Sequence, residues 1–169
     1  MTGAPHSSVK RFRELARNSP KNGTERELLL DGVHLLSEAR ASGLVVQSAA
    51  FDHTVLDEPF NRTLAEQLTA EGAEVLIVST KVLAAMSPVR TSSGVVGIAK
   101  RPVQTLDSLV FGDFPLVVVA HDVQDPGNVG AIVRSAEAAG VTAVITTTAS
   151  ADPWGWKALR GSMGSALRL

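Results

Sequence analysis

The chain has 169 residues, enough for one ordinary domain or two small ones, and its 44% hydrophobic content is that of a globular protein. No apolar run approaches the roughly 18 residues of a membrane span, and the basic N-terminal segment has no apolar stretch behind it, so neither a span nor a secretory signal is expected. Zero cysteines exclude disulfides and thiolate metal sites and fit a reducing cytoplasm, and a net charge of −1 supplies no global field toward nucleic acid.

The charge is unevenly spread. Lys10, Arg11, Arg13, Arg17, Lys21 and Arg26 face only Glu14 and Glu25 in the first 26 residues. This is either a solvated basic helix or a phosphate-contacting surface, with Lys10, Arg11 and Arg26 as the contact candidates. Ser7 or Ser8 can cap a helix whose apolar positions Val9, Phe12, Leu15 and Ala16 have helical spacing. Ser19 to Gly23 reads as a loop. "ELLLDG" is a short buried strand, "VHLLSEARASG" a helix closed by Gly43, and "LVVQSAAF" the next strand. "FNRTLAEQLTAEG" is a helix ending at Gly72, "AEVLIVS" a strand, and "TKVLAAM" a short helix stopping before Pro88. Arg90 precedes "TSSG" and is a further candidate for the same kind of contact. "GVVGIAKRP" is a strand ended by Pro102.

Strand and helix alternate, which predicts an α/β fold with a mainly parallel sheet. The periodicity fails over 103–115, which reads as a linker. A second α/β unit then begins, with a strand at 116–121, a turn, a helix at 127–139 and a strand at 142–147. The domains expected are 1–102 and 116–169.

The turn carries the chemistry. In "DVQDPGNVGAIVRSAEAAGV", Val129, Ile132, Val133 and Ala136 form the stripe packed on the sheet, and Gly130, Arg134 and Glu137 fall off it. Asn128, near the helix start, can cap free N–H groups or hold the loop. Arg134 follows six residues on, about 9 Å along the axis, and can lean its guanidinium back toward that loop. Gly127 and Gly130 would let a substrate approach the backbone. A cation, helix-dipole N–H groups and an amide then converge, which suits a phosphate or a forming alkoxide. The alternative is an ordinary crossover in which Arg134 pairs with Glu137. The loop is neither a Walker loop nor a three-glycine dinucleotide fingerprint.

This segment resembles the first signature motif of the SpoU-type (SPOUT class, TrmH-like) RNA ribose 2'-O-methyltransferases. "ADPWGWKALRGSMGSALRL" is similar to the segment that follows it there. "VKRFRELARN", "LLLDGVHLLSEARASG" and "TSSGVVGIAKRP" resemble that family's N-terminal substrate-binding domain, itself similar to a ribosomal-protein RNA-binding fold. The resemblance implies transfer of a methyl group from S-adenosylmethionine to a ribose 2'-hydroxyl of ribosomal or transfer RNA, by a homodimer. It matches Arg134 to the family's catalytic arginine and Asn128 to its motif asparagine. A guanidinium is a poor base, so Arg134 is expected to act as a donor to the developing alkoxide and the nearby phosphate. Glu137 is expected to be a supporting residue, His121 a satisfied structural histidine, and Ser162 either an RNA contact or a turn former. Trp154 and Trp156 either stack a base or pack beneath the following helix.

The family's two later motifs, which hold the methyl donor and thread a knot, have no counterpart before Leu169. The chain is therefore expected to be an incomplete methyltransferase that contributes no donor-binding residue and is inactive alone. Residues 148–169 are expected to be mobile, or held by a neighbouring chain. Two other functions remain open: a non-enzymatic RNA-binding protein acting through 1–102, and a phosphate or nucleotide binder using the 125–130 loop.

Overall fold

A computed structural model describes residues 6–17, 26–109 and 113–169. Lys21, Glu25 and the loop at 19–23 lie outside the described residues, as do 110–112 of the expected linker. The chain divides into two compact units, one of 6–17 with Glu27–Lys100, the other of Arg26 with Arg101–Leu169. Among the described residues no helix is long and apolar enough to cross a membrane.

The first unit runs α1 (His6–Arg17), β1 (Glu27–Asp31), α2 (Val33–Ala41), β2 (Val46–Asp52), α3 (Pro59–Ala70), β3 (Glu74–Val78), α4 (Thr80–Met86) and β4 (Val95–Lys100). Its sheet has the order β1-β4-β2-β3. β1, β2 and β4 are buried almost without interruption rather than on alternate residues, so helices cover both faces of the sheet. Phe12 from α1, Leu36 from α2, Leu68 from α3, and Leu83 and Met86 from α4 meet Phe51, Val95, Val96 and Ile98 of the sheet in the core. At Gly97 a Cβ would lie 2.5 Å from Leu36 Cδ1, so glycine there lets α2 settle onto β4. α1 begins at His6, which places Ser7 and Ser8 inside the helix and not at its cap.

The sheet corrects the expectation of parallel strands. Only β2 and β3 pair as parallel neighbours; β4 lies between β1 and β2, antiparallel to both, so β1, β2 and β3 point one way and β4 the other. The reason lies in α4. Its seven residues span about 10 Å, starting just past the end of β3. Ser87, just beyond it, donates from Oγ to Asp31 Oδ1 at the end of β1, 3.3 Å away. The helix thus crosses the end of the sheet and does not run back along it, so the chain must enter β4 from that same end. Alternation of strand and helix does not encode this.

The second unit contains β5 (Val117–Ala120), α5 (Pro126–Ala138), β6 (Ala143–Thr146), α6 (Trp156–Ser162) and a 3-10 turn at Ser165–Leu167. β5 and β6 pair in parallel, as expected for a strand–helix–strand crossover. Over the segment read as a linker, a 3-10 turn at Leu106–Ser108 leaves Val103 and Leu106 exposed. Arg101 grips Asp152 through both Nη atoms, at 2.5 and 3.0 Å, and both side chains are largely buried.

Residues 154–169 are packed, contrary to the expectation of mobility. Ala158, Leu159, Ser162, Ala166 and Leu167 are buried, and α6 lies directly on α5. The contact is made by glycine. A Cβ on Gly130 would sit 2.5 Å from the Ala158 carbonyl oxygen and 2.8 Å from the backbone of Gly161 and Ser162. Gly130 therefore admits a helix, and not the substrate the sequence suggested. Helix propensity alone would favour alanine by roughly 1 kcal/mol, but the clash is with backbone that cannot rotate away. Gly130→Ala should cost the second unit about 2 kcal/mol net, read from urea unfolding. Gly161→Ala, whose Cβ would first meet the Gly127 oxygen at 3.2 Å, should cost less. A Gly130→Ala protein as stable as the parent would contradict this packing.

Candidate active site

The site is built where α5 starts. Asp125 has extended backbone and caps the helix, accepting from the Asn128 N–H at 2.8 Å, and Pro126 occupies the first turn. The cap is thus Asp125, not Asn128, whose side chain is exposed. The Asp125 carboxylate thus already takes one of the free N–H groups at the positive end of this helix. The preceding loop is fixed to the loop after β6. Ser150 Oγ donates to the Ala120 carbonyl at 2.9 Å and accepts from the Val123 N–H at 3.0 Å. The Ala151 N–H closes back on the Val123 carbonyl at 2.8 Å. Asp122, between them, has φ 55, a left-handed conformation that costs a non-glycine residue roughly 1–2 kcal/mol.

The residues left off the apolar stripe form a second packed face. Gly127 and Gly130 meet Gly161, Arg134 meets Met163, and Glu137 meets Arg168. Arg134 is exposed, and among the described residues its one hydrogen-bond acceptor is Met163 Sδ, 3.3 Å from Nη1. It pairs with neither Asn128 nor Glu137. Glu137 instead takes both the Nε and Nη2 donors of Arg168, at 2.5 and 2.8 Å, which fits the supporting role expected of it. Met163 has φ 52 at the end of α6, followed by Gly164 at φ 89. No carboxylate thus neutralises Arg134 among the described residues.

The other candidates scatter. Lys10 is exposed on α1, 3.8 Å from Glu14 one turn on. Arg11 is a correction: its guanidinium binds the Glu27 carboxylate and Gln47 Oε1, the latter at 2.6 Å. The hydrogen bond to Glu27 raises the arginine pKa further, against burial, which lowers it. Arg11 ties α1 to the sheet and is not offered to RNA. Arg90 is exposed in the loop between α4 and β4. Arg26 is exposed and, with Arg101, Thr146 and Trp154, lines a cavity of about 750 Å³ that includes neither Asn128 nor Arg134. Ser162 is also a correction. It is fully buried, donating to the Leu159 carbonyl at 2.9 Å, because the α5–α6 contact closes over it. Trp154 is buried, while Trp156 is half-buried with Lys157 Nζ 5.4 Å from its ring centre. His121 is exposed and not packed as expected.

Comparison with known proteins places this geometry. Residues 6–97 match the MRM3-like substrate binding domain and residues 115–169 match the SpoU rRNA Methylase family. Over more than half of its length the chain belongs to the MRM3-like substrate binding domain family. It is 34% identical, over its whole length and 60% of the relative's, to an uncharacterized tRNA/rRNA methyltransferase of Synechocystis. It is 26% identical, over 96% of its length and 60% of the relative's, to the 23S rRNA (guanosine(2553)-2'-O)-methyltransferase of Bacillus subtilis. Among solved structures it superposes with a TM-score of 0.83 on an AdoMet-bound rRNA methyltransferase from Sinorhizobium meliloti, at 27% identity over 100% of this chain and 62% of that one. The SpoU methyltransferase AviRb from Streptomyces viridochromogenes, in complex with AdoMet, gives a TM-score of 0.85 at 25% identity over 98% of this chain and 62% of that one. The chain therefore spans about 60% of the length of these relatives.

In the segment that matches the SpoU family, sequence reasoning overlooked the roles of Asp125, Gly161, Met163 and Arg168. Asp125 was legible, since Asp followed by Pro is a helix-start signal. The other three act across α5 and α6, and no spacing within one helix reveals them.

The Glu137–Arg168 pair gives this face a pH dependence. The hydrogen bond from Arg168, followed by one from Ser165, pulls the Glu137 pKa from 4.5 to about 2, while burial opposes the shift. A depressed folded pKa means that the stabilisation is complete above pH 4.5 and is lost as pH falls toward 2. The second unit should lose stability across that window, and Glu137→Gln should flatten the loss. Superimposable acid-unfolding curves for parent and Glu137→Gln would contradict the pairing.

Proposed function

We propose that the protein is an S-adenosylmethionine-dependent RNA ribose 2'-O-methyltransferase, with ribosomal RNA the favoured substrate and transfer RNA the alternative. The observation that carries this reading is an exposed Arg134, free of any carboxylate among the described residues, in the motif position of a SpoU chain. The relatives' names, rRNA and tRNA/rRNA methyltransferase, support the substrate class. Residues 1–102 are read as the RNA-binding domain, 103–115 as the linker and 116–169 as part of the methyltransferase domain, with a homodimer as the working assembly. Lys10, Arg26 and Arg90 remain the candidate RNA contacts, all exposed.

S-adenosylmethionine supplies a methyl group made electrophilic by its sulfonium. Arg134 lies on open surface and the unit's cavity does not include it. The described residues around it therefore fit the acceptor side of the reaction and are not assigned to the donor. A ribose hydroxyl is a poor nucleophile until its proton leaves, and the negative charge that then grows on oxygen needs donors already in place. Arg134 supplies them from a planar fork, with one Nη leaning on Met163 and the other N–H groups free to reach the ribose oxygen or its neighbouring phosphate. Asn128 is placed at the entry to the same helix, where its exposed amide is read as a contact to the RNA.

In the complete protein, Arg134→Ala should lower methyl transfer to ribosomal RNA at least about 100-fold, with a smaller loss of RNA binding. Arg134→Lys should fail as well, because a point charge does not reproduce the fork. Transfer of tritium from labelled S-adenosylmethionine measures both. Near-parent turnover in either variant would remove Arg134 from the mechanism. A salt-sensitive RNA shift with no methyl transfer by the complete protein would favour an RNA-binding module instead.

A further inference from the structure

We infer that Met163 is a positioning residue that sets the direction of the Arg134 guanidinium, an assignment that rests on the reading of Arg134 as the group facing the ribose oxygen. The backbone at Met163 is left-handed, φ 52, where glycine is the unstrained choice and where the next residue, Gly164, is glycine. A non-glycine residue in such a place invites a functional explanation. Core packing does not provide one, since Met163 is 52% exposed. Its sulfur lies 3.3 Å from Arg134 Nη1.

The residues around Met163 hold it there. Gly130 brings α6 onto α5 through the backbone of Gly161 and Ser162, immediately before Met163. Ser162 Oγ is locked on the Leu159 carbonyl at 2.9 Å, and Gly164, Ser165 and Ala166 are buried just after it. The turn is therefore fixed on both sides, and the methionine side chain projects over Arg134, one turn along α5 from Gly130. The chemistry of the contact also fits the role. A thioether is a weak, uncharged acceptor, so it orients one N–H without neutralising the cation or occupying the rest of the fork. A carboxylate there would hold Arg134 more tightly but would cancel the charge that the reaction uses. Three rotatable bonds also let methionine follow the guanidinium as substrate arrives.

Three variants separate this role from a structural one. Met163→Gly suits the backbone and removes the side chain. Its thermal midpoint should equal or exceed that of the parent, while in the complete protein kcat for methyl transfer to protein-free ribosomal RNA falls about tenfold and KM changes less than twofold. Met163→Leu keeps the bulk, lacks the acceptor and should fall similarly. Met163→Gln restores a neutral acceptor and should recover to within about threefold of the parent. If Met163→Gly and Met163→Leu both turn over at the parent rate, or if activity only tracks stability, the assignment is overturned. A measurement that needs no activity is NMR of the Arg134 guanidinium. Its rotation about the Nε–Cζ bond should be faster in Met163→Leu than in the parent, and an unchanged rate would overturn the contact. Retention of turnover by Arg134→Ala would instead sink the reading of Arg134, leaving the NMR comparison to decide the contact alone.

Discussion

Two helices approach as closely as α5 and α6 only where neither carries a Cβ at the crossing. Gly130 and Gly161 provide that crossing, with the Ala158 carbonyl and the Ser162 N–H close enough to exclude any other residue from position 130. Once the helices touch, the contacts further along α5 follow in register. Arg134, four residues on, lies by Met163, and Glu137, seven residues on, lies by Arg168. One face of α5 thus packs on the sheet through Val129, Val133 and Ala136, and the adjoining face packs on the segment after α6. The guanidinium at the seam is held from one side by an uncharged sulfur and open on the other. For a group expected to meet developing negative charge, that support leaves its positive charge available.

The first unit obeys a different constraint. Its strands β1, β2 and β4 are buried on both faces, so their polar groups must be matched internally. Asp52 illustrates this: burial alone would raise its pKa, yet hydrogen bonds from the Thr54 N–H and from the Thr80 and Thr54 hydroxyls win and lower it. Arg11 is recruited in the same way, spent on Glu27 and Gln47 where α1 meets the sheet. The basic charge of the N-terminal helix is accordingly divided. Arg11 serves the fold, and the exposed Lys10 faces solvent beside Glu14.

Every helix and strand named from the sequence exists, because apolar spacing and Gly or Pro punctuation are local properties. The positions of Gly43 and Gly72, both with positive φ just past helix ends, were legible for the same reason. Strand direction was not, since it depends on α4 crossing the end of the sheet, and nothing in "TKVLAAM" says which way the helix will lie. Gly130 was misread toward substrate, and Ser162 was left open between an RNA contact and a turn, because a small residue beside the α5 motif looks identical whether a ligand or a helix fills the space. Arg134 was the reverse case. The motif marked it, but its partner Met163 lies 29 residues away and is found only in three dimensions.

Hydrogen exchange of the 169-residue chain tests the α5–α6 contact most directly. Amides of α5 from Val129 to Ala136 and of α6 from Leu159 to Ser162 should be the slowest of the second unit and should exchange at a common rate, since opening one helix uncovers the other. If α6 exchanges as fast as an unstructured peptide while α5 stays protected, the two helices are not packed through Gly130. The support of Arg134 by Met163 would then have no basis.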